Sequence, residues 1–63
     1  MKTELIQTSD GLFFCEVSDN MIRIYECDID NASELCSKYA AQHDKAFKYA
    51  LTTNEYIEFE LSN

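Results

Sequence analysis

The sequence contains no proline, no tryptophan and only one glycine among 63 residues. Proline and glycine interrupt helices and strands, so their scarcity predicts few sharp turns and no flexible linker. A single glycine also excludes a glycine-rich phosphate-binding loop. The chain has no low-complexity tract and no internal repeat. We therefore expect residues 1–63 to fold as one domain.

Basic residues are scarce as well. Five Lys and Arg stand against twelve Asp and Glu, which gives a formal net charge of −7 and a pI near 4.3. Proteins that bind nucleic acid directly use Lys and Arg to neutralise phosphates, and anionic membranes attract the same side chains. We therefore expect neither nucleic acid nor a membrane as a direct partner, whereas a basic protein suits this charge.

Long apolar runs are absent. No stretch approaches the roughly 20 residues that a membrane-spanning helix needs, and residues 1–6 lack the apolar core of a signal peptide. The three cysteines, Cys15, Cys27 and Cys36, are odd in number. Reduced thiols inside a cell are their simplest interpretation, so we expect a cytoplasmic protein.

The first half of the chain carries strand signals. Residues 3–8, 12–17 and 21–27 are apolar stretches separated by short groups of turn residues. The Asp10-Gly11 pair favours a tight hairpin, because glycine accepts a positive φ without strain. These features predict three antiparallel strands connected in sequence.

The apolar spacing then changes to a helical period. Asn31, followed three residues later by Glu34, predicts an N-cap with a capping box. The helix is expected to continue to about residue 50, with one apolar face. His43 would then be a neutral core histidine, unless the helix breaks at His43-Asp44 and leaves His43 in a loop. The predicted apolar face consists of Ala32, Leu35, Cys36, Tyr39, Ala40, Ala46, Phe47 and Ala50.

The last stretch, residues 56–62 (YIEFELS), alternates between apolar and acidic residues and predicts a final strand. The fold class is therefore α+β: a small two-layer β-β-β-α-β domain with a mostly antiparallel four-stranded sheet and one helix packed on one face. The strand order remains open. The other sheet face should be exposed and should carry Phe14, Glu16, Arg23, Tyr25, Tyr56, Glu58 and Glu60.

The cysteines and the histidine do not have the spacing of a metal site. No Cys-x₂₋₄-Cys pair exists, and Cys36 and His43 are separated by about 10.5 Å of helical rise if they share one helix. Residues 28–31 resemble the start of a calcium loop, but the residues that follow them lack the glycine and the final glutamate of such a loop. We therefore expect no metal and no cofactor.

Nothing in the sequence indicates catalysis either. Glu58 and Glu60 are expected about 6.7 Å apart on an open strand, where neither carboxylate is buried enough to act as a tuned acid or base. A Cys-His pair would need an orienting third group that the sequence does not supply. We predict that the protein is not an enzyme. A thiol- or metal-dependent site is the weakest alternative.

The acidic, aromatic sheet face favours binding, because interfaces are enriched in Tyr, Phe and Arg. Regularly spaced carboxylates on a strand can also imitate a row of phosphates. This small, acidic, α+β profile is similar to that of many inhibitors encoded by bacteriophages and mobile elements, such as anti-CRISPR proteins, although the likeness is of class and not of motif. It implies an inhibitor that docks on a basic nucleic-acid-binding surface in the host cytoplasm. The predicted contact residues are Glu16, Tyr25, Tyr56, Glu58 and Glu60, with Asp28 and Asp30 as a second acidic cluster.

Two other interpretations of this face stay open. The carboxylates could simply keep the domain soluble and its edges unpaired. Alternatively, the protein could be a structural small subunit or a homodimer, with exposed Leu12, Phe14 and Tyr25 meeting a second copy.

Overall fold

Five strands and one helix make up the part of the chain that the computed structural model describes, residues 2–63. Their order is β1 (Lys2–Thr8), β2 (Gly11–Ser18), β3 (Met21–Tyr25), α1 (Ile29–Gln42), β4 (Ala46–Thr52) and β5 (Tyr56–Ser62). The strands form one antiparallel sheet in the order β1-β2-β3-β5-β4. The predicted α+β class is confirmed, but the predicted number of four strands is wrong by one.

Two tight hairpins connect the first three strands, as predicted. In the first, Thr8 pairs with Gly11 across a two-residue turn, and Gly11 has a φ of +139° that other residues rarely adopt. The Thr8 hydroxyl oxygen accepts a hydrogen bond from the Asp10 N–H at 3.2 Å. In the second, Ser18 pairs with Met21. The short turns fix the register of all three strands.

The helix begins earlier than the sequence predicted. Asp28 is the N-cap, because its backbone is extended and its carboxylate accepts hydrogen bonds from the Asn31 N–H at 3.3 Å and side-chain amide at 2.7 Å. The prediction of Asn31 as the cap is therefore wrong by three residues. Glu34 makes no capping box and instead accepts hydrogen bonds from the N–H and hydroxyl of Ser9.

The helix also ends earlier than predicted. Asp44 has a φ of +55°, in the left-handed region, and this turns the chain out of the helix. The Lys45 N–H then donates to the carbonyl of Ala40 at 2.8 Å, and the Asp44 N–H donates to that of Ala41 at 3.4 Å. These bonds satisfy carbonyl groups of the last turn, a common way for helices to terminate.

Because α1 ends at Gln42, residues 43–52 are not helical. The predicted helix up to residue 50 is wrong, and the alternative of a break at His43-Asp44 is confirmed. His43 is an exposed residue that stacks on the ring of Tyr39 at 4.2 Å, not a core histidine. Residues 46–52 form the edge strand β4, which pairs with β5 and has an irregularity between Tyr49 and Leu51.

The core lies between α1 and one face of the sheet. Phe13, Cys15 and Val17 of β2 point toward α1, which agrees with the prediction that Phe14 and Glu16 lie on the other face. No helix within residues 2–63 is long and apolar enough to cross a membrane. The buried core consists of Cys15, Val17, Ile22, Ile24, Ala32, Leu35, Cys36, Ala40, Ile57, Phe59 and Leu61.

Candidate functional site

On the sheet face opposite α1, here called the open face, no helix or loop of residues 2–63 is packed. Because alternate residues of a strand point to opposite faces, the inward positions Ile57 and Phe59 of β5 place their neighbours on the open face. All seven residues that the sequence predicted for this face lie there: Phe14, Glu16, Arg23, Tyr25, Tyr56, Glu58 and Glu60.

Four apolar or aromatic side chains cross the open face from strand to strand and are called the apolar row: Leu5, Phe14, Tyr25 and Tyr56. Leu5 is the register partner of Phe14 on the neighbouring strand. The rings of Phe14 and Tyr25 meet edge to face with centroids 5.5 Å apart, and those of Tyr25 and Tyr56 are 5.3 Å apart. Leu5 and Phe14 are 68% and 45% exposed. The row is therefore internally packed but open to solvent.

A charged row runs beside the apolar row. Glu16, Arg23 and Glu58 are successive partners on β2, β3 and β5. Arg23 Nε donates to Glu58 Oε1 at 2.9 Å, and an Arg23 Nη lies 4.0 Å from Glu16 Oε1. The guanidinium also lies 4.9 Å from the centroid of the Tyr56 ring, a cation–π distance. Arg23 is thus held by two carboxylates and one aromatic ring.

Hydrogen bonds to two carboxylates of the charged row raise the pKa of Arg23 and of Tyr25. The hydrogen bond to Glu58 raises the pKa of the Arg23 guanidinium. The Tyr25 hydroxyl donates a hydrogen bond to Glu16, which raises the pKa of that phenol. Two of the three carboxylates on the open face are therefore engaged within the protein. The third, Glu60, is the register partner of Lys48 on β4.

These contacts alter the electrostatics expected of the open face. The sequence predicted a row of carboxylates on β5 that could imitate phosphates, whereas Glu58 is ion-paired and Glu60 stands opposite a lysine. Three acidic residues share this face with two basic ones, so its charge is nearly balanced. The chain's large negative charge must lie elsewhere.

Most of that charge lies at one end of the sheet, here called the acidic end. The β1–β2 turn, the link from β3 to α1 and the link from β4 to β5 all meet there, because antiparallel pairing brings these connections to the same side. No Lys or Arg occurs in these three segments. The acidic end contains Asp10, Glu26, Asp28, Asp30 and Glu55.

The predicted second cluster, Asp28 and Asp30, therefore belongs to the acidic end and not to the open face. Asp28 caps the helix, and Asp30 lies in its first turn, where the helix dipole favours a negative charge. Sequence reasoning missed Leu5, Glu26 and Glu55. Leu5 could have been found from alternation within residues 3–8, but the two glutamates come together only through the sheet topology.

The cysteines have properties of core residues. Burial raises the pKa of Cys15 and of Cys36 to about 12, and it raises that of the half-buried Cys27, beside Asp28, to about 11. Thiols with such values are weak nucleophiles at neutral pH, because the thiolate is the reactive form. Within residues 2–63 no three His, Cys, Asp or Glu side chains are grouped to hold a metal ion.

Comparison with known proteins adds no relative. The chain matches no family model, no curated protein sequence and no solved structure. A functional proposal therefore rests on this chain's own side chains.

Proposed function

We propose that this protein is a non-enzymatic binding module that docks on a basic surface of another protein. The observation that carries the proposal is the position of the exposed apolar row beside the acidic end. An apolar strip supplies contact area, and adjacent carboxylates select a cationic partner. The expected role is that of an inhibitor that covers a nucleic-acid-binding surface in the cytoplasm of a host cell.

The apolar row supports the contact part of this proposal. Leu5, Leu12 and Phe14 are 68%, 64% and 45% exposed, and all three lie on the open face near its β1 edge. Single exposed apolar residues are ordinary on protein surfaces, but neighbouring ones that continue into a packed pair of tyrosines form a patch. Aromatic side chains in such patches provide much of the affinity of protein interfaces.

The acidic end supports the choice of partner. Four of its five carboxylates lie in segments without Lys or Arg, and the fifth, Asp30, lies in the first turn of α1. Together they create a negative potential that extends over about 8 Å at physiological salt. Such a potential speeds the approach of a basic protein. Surfaces that bind single-stranded nucleic acid combine basic side chains with aromatic platforms, and they would complement both parts of this site.

The ion pair of Glu58 affects which acids we propose as imitators of phosphates. Glu58 already neutralises Arg23, so a partner must compete with that ion pair for its carboxylate. Glu26 and Glu55 are exposed and make no ion pair within the described residues. We therefore assign the steering charge mainly to the acidic end, with Glu16, Tyr25, Tyr56, Glu58 and Glu60 forming the contact face.

A capture experiment with matched variants tests this proposal. The immobilised protein is exposed to nuclease-treated host lysate at about 50 and 200 mM salt, and each retained protein is identified, purified and titrated with the domain. One variant, L5S/F14S, disrupts the apolar row, and F47S is its control on the opposite sheet face. A second variant, E26Q/E55Q, removes two charges from the acidic end, and D19N/D44N removes two charges at the other end of the sheet.

The expected result is a basic partner whose binding weakens with salt and competes with nucleic acid. The partner should be lost with each site variant and kept with each control. Equal binding by the site variants and their controls would contradict the proposal. Charge reversal at Glu58 is a poorer test, because E58K would place a lysine beside Arg23 and disturb the sheet itself.

Self-association is a second candidate function. Strand β1 is an edge of the sheet, and it brings exposed Leu5 next to Phe14 and close to Leu12. An exposed edge strand with apolar neighbours can pair with a second copy. Sedimentation over a range of micromolar concentrations distinguishes the two candidates, because a strict monomer contradicts a homodimer.

A further inference from the structure

A surface depression lies where the open face meets the acidic end. It has a volume of about 320 Å³. This is near the lower limit of the roughly 300–1,000 Å³ that small-molecule sites enclose, so it suits one side chain better than a nucleotide. Its lining consists of Phe14, Tyr25, Glu26, Asn54 and Glu55.

The fold holds the walls of this depression in place. Phe14 and Tyr25 fix each other by their edge-to-face contact. Glu26 directly follows β3 with a φ of +50°, and its N–H donates to the Glu55 carbonyl at 3.1 Å. This backbone bond joins the link after β3 to the link before β5. Two aromatic rings and two acidic residues are thereby brought together.

Elsewhere on the open face, an aromatic ring and a carboxylate already bind a guanidinium. Arg23 lies 4.9 Å from the centroid of Tyr56 and 2.9 Å from a carboxylate oxygen of Glu58, so one ring and one carboxylate hold a guanidinium on this face. The depression presents the same two kinds of group to a cation from outside. A guanidinium fits them better than an ammonium, because it is planar, stacks on rings and pairs with carboxylates through two parallel hydrogen bonds.

We propose that this depression receives a single arginine side chain of the partner. The inference rests on the proposed function and deepens it, because it names the residue type that the partner must present. The guanidinium lies against the rings of Phe14 and Tyr25. Glu26 and Glu55 balance its charge, and the Asn54 amide oxygen accepts one of its hydrogen bonds.

The test uses small probes and does not need the partner. The ¹⁵N-labelled protein is titrated with Nα-acetyl-arginine amide, and amide chemical shifts are followed by NMR. We expect saturable shifts centred on the lining residues, with a dissociation constant on the order of millimolar. Nα-acetyl-citrulline amide, which has nearly the same shape without the charge, should cause almost no shift, and the lysine analogue should bind more weakly than arginine.

Variants then separate a local site from bulk charge. E26Q/E55Q should weaken arginine binding by about 2- to 25-fold, since each exposed charge pair is worth a factor of roughly 1.5–5. F14L, which keeps apolar bulk but removes the ring, should also weaken it. D19N/D44N changes the net charge equally and should leave binding within about twofold. Equal shifts with citrulline, equal weakening by D19N/D44N, or shifts centred elsewhere would overturn the inference.

The same variants separate this inference from the proposed function. If arginine amide does not bind while a basic partner still depends on Leu5 and Phe14, the arginine site is wrong and the binding module stands. If arginine amide binds as expected but no partner depends on the open face, the depression binds arginine and the proposed function fails.

Discussion

Leu35 and Leu5 form a matched pair that tests the assignment of the two sheet faces. Leu35, on α1, is 0% exposed, whereas Leu5, on the open face, is 68% exposed. Replacing a buried leucine by alanine costs about 2–5 kcal/mol, because apolar contact is lost and a cavity remains. A domain of 63 residues has a free energy of unfolding of about 3–9 kcal/mol in total. L35A should therefore remove between about a fifth of the stability and all of it, whereas L5A should change the free energy of unfolding by less than about 0.5 kcal/mol.

Urea unfolding followed by circular dichroism measures both variants. The transition midpoint should fall strongly for L35A and stay nearly constant for L5A. In thermal unfolding, Tm should fall by about 4–8 °C for each kcal/mol lost. A loss below about 1 kcal/mol for L35A would mean that α1 does not pack on the sheet as described. An equally large loss for L5A would mean that the open face is covered, and the proposed site would then not exist.

Three further predictions concern the helix cap and the thiols. D28A should lower the free energy of unfolding by about 1 kcal/mol, while D28N, which can still cap, should cost less in the same urea assay. The contribution of the Cys15 and Cys36 thiols to the free energy of unfolding should be constant below pH 9 and should fall as the pH rises toward 12, because both thiols keep their protons to about pH 12 when folded, whereas the unfolded thiols ionise near 9.0. The C36A variant should show a smaller slope, and an unchanged slope would contradict this cause. At pH 8 a disulfide reagent should modify half-buried Cys27 before the other two thiols, and peptide mass spectrometry showing Cys15 or Cys36 modified first would refute the burial order.

The strands with a clear two-residue period could be predicted from the sequence. In β5, Ile57 and Phe59 alternate with Glu58 and Glu60, and the observed faces agree with that alternation. The same reasoning placed Phe14 and Glu16 of β2 on the exposed face. These predictions are reliable because a one-residue shift would bury charged side chains, so burial and period support one another.

Strand β4 could not be predicted for two physical reasons. As an edge strand it is mostly exposed, so its residues show no clean alternation, and Phe47 and Ala50 also continue the helical spacing of α1. The C-terminal end of α1 was also hard to predict from the sequence. A left-handed residue at a helix end is usually glycine, but here it is Asp44.

The charge distribution of the site depended on topology. Arg23 and Glu58 are 35 positions apart in sequence and become partners because β3 pairs with β5. The sequence did not reveal that pairing, so the ion pair between Arg23 and Glu58 was not predicted. The meeting of Glu26 and Glu55 likewise depends on the strand order. The members of the open face could thus be predicted, but their mutual neutralisation could not.

Site-specific photo-crosslinking tests the central claim, that the open face docks on a basic protein. Phe14 and Phe47 are similarly exposed, at 45% and 38%, but lie on opposite faces of the sheet. Each is replaced in turn by benzoyl-phenylalanine and irradiated in nuclease-treated host lysate. We predict an adduct with a basic nucleic-acid-binding protein from position 14 and little or none from position 47. The same adduct from both positions, or an adduct from position 47 alone, would contradict the account.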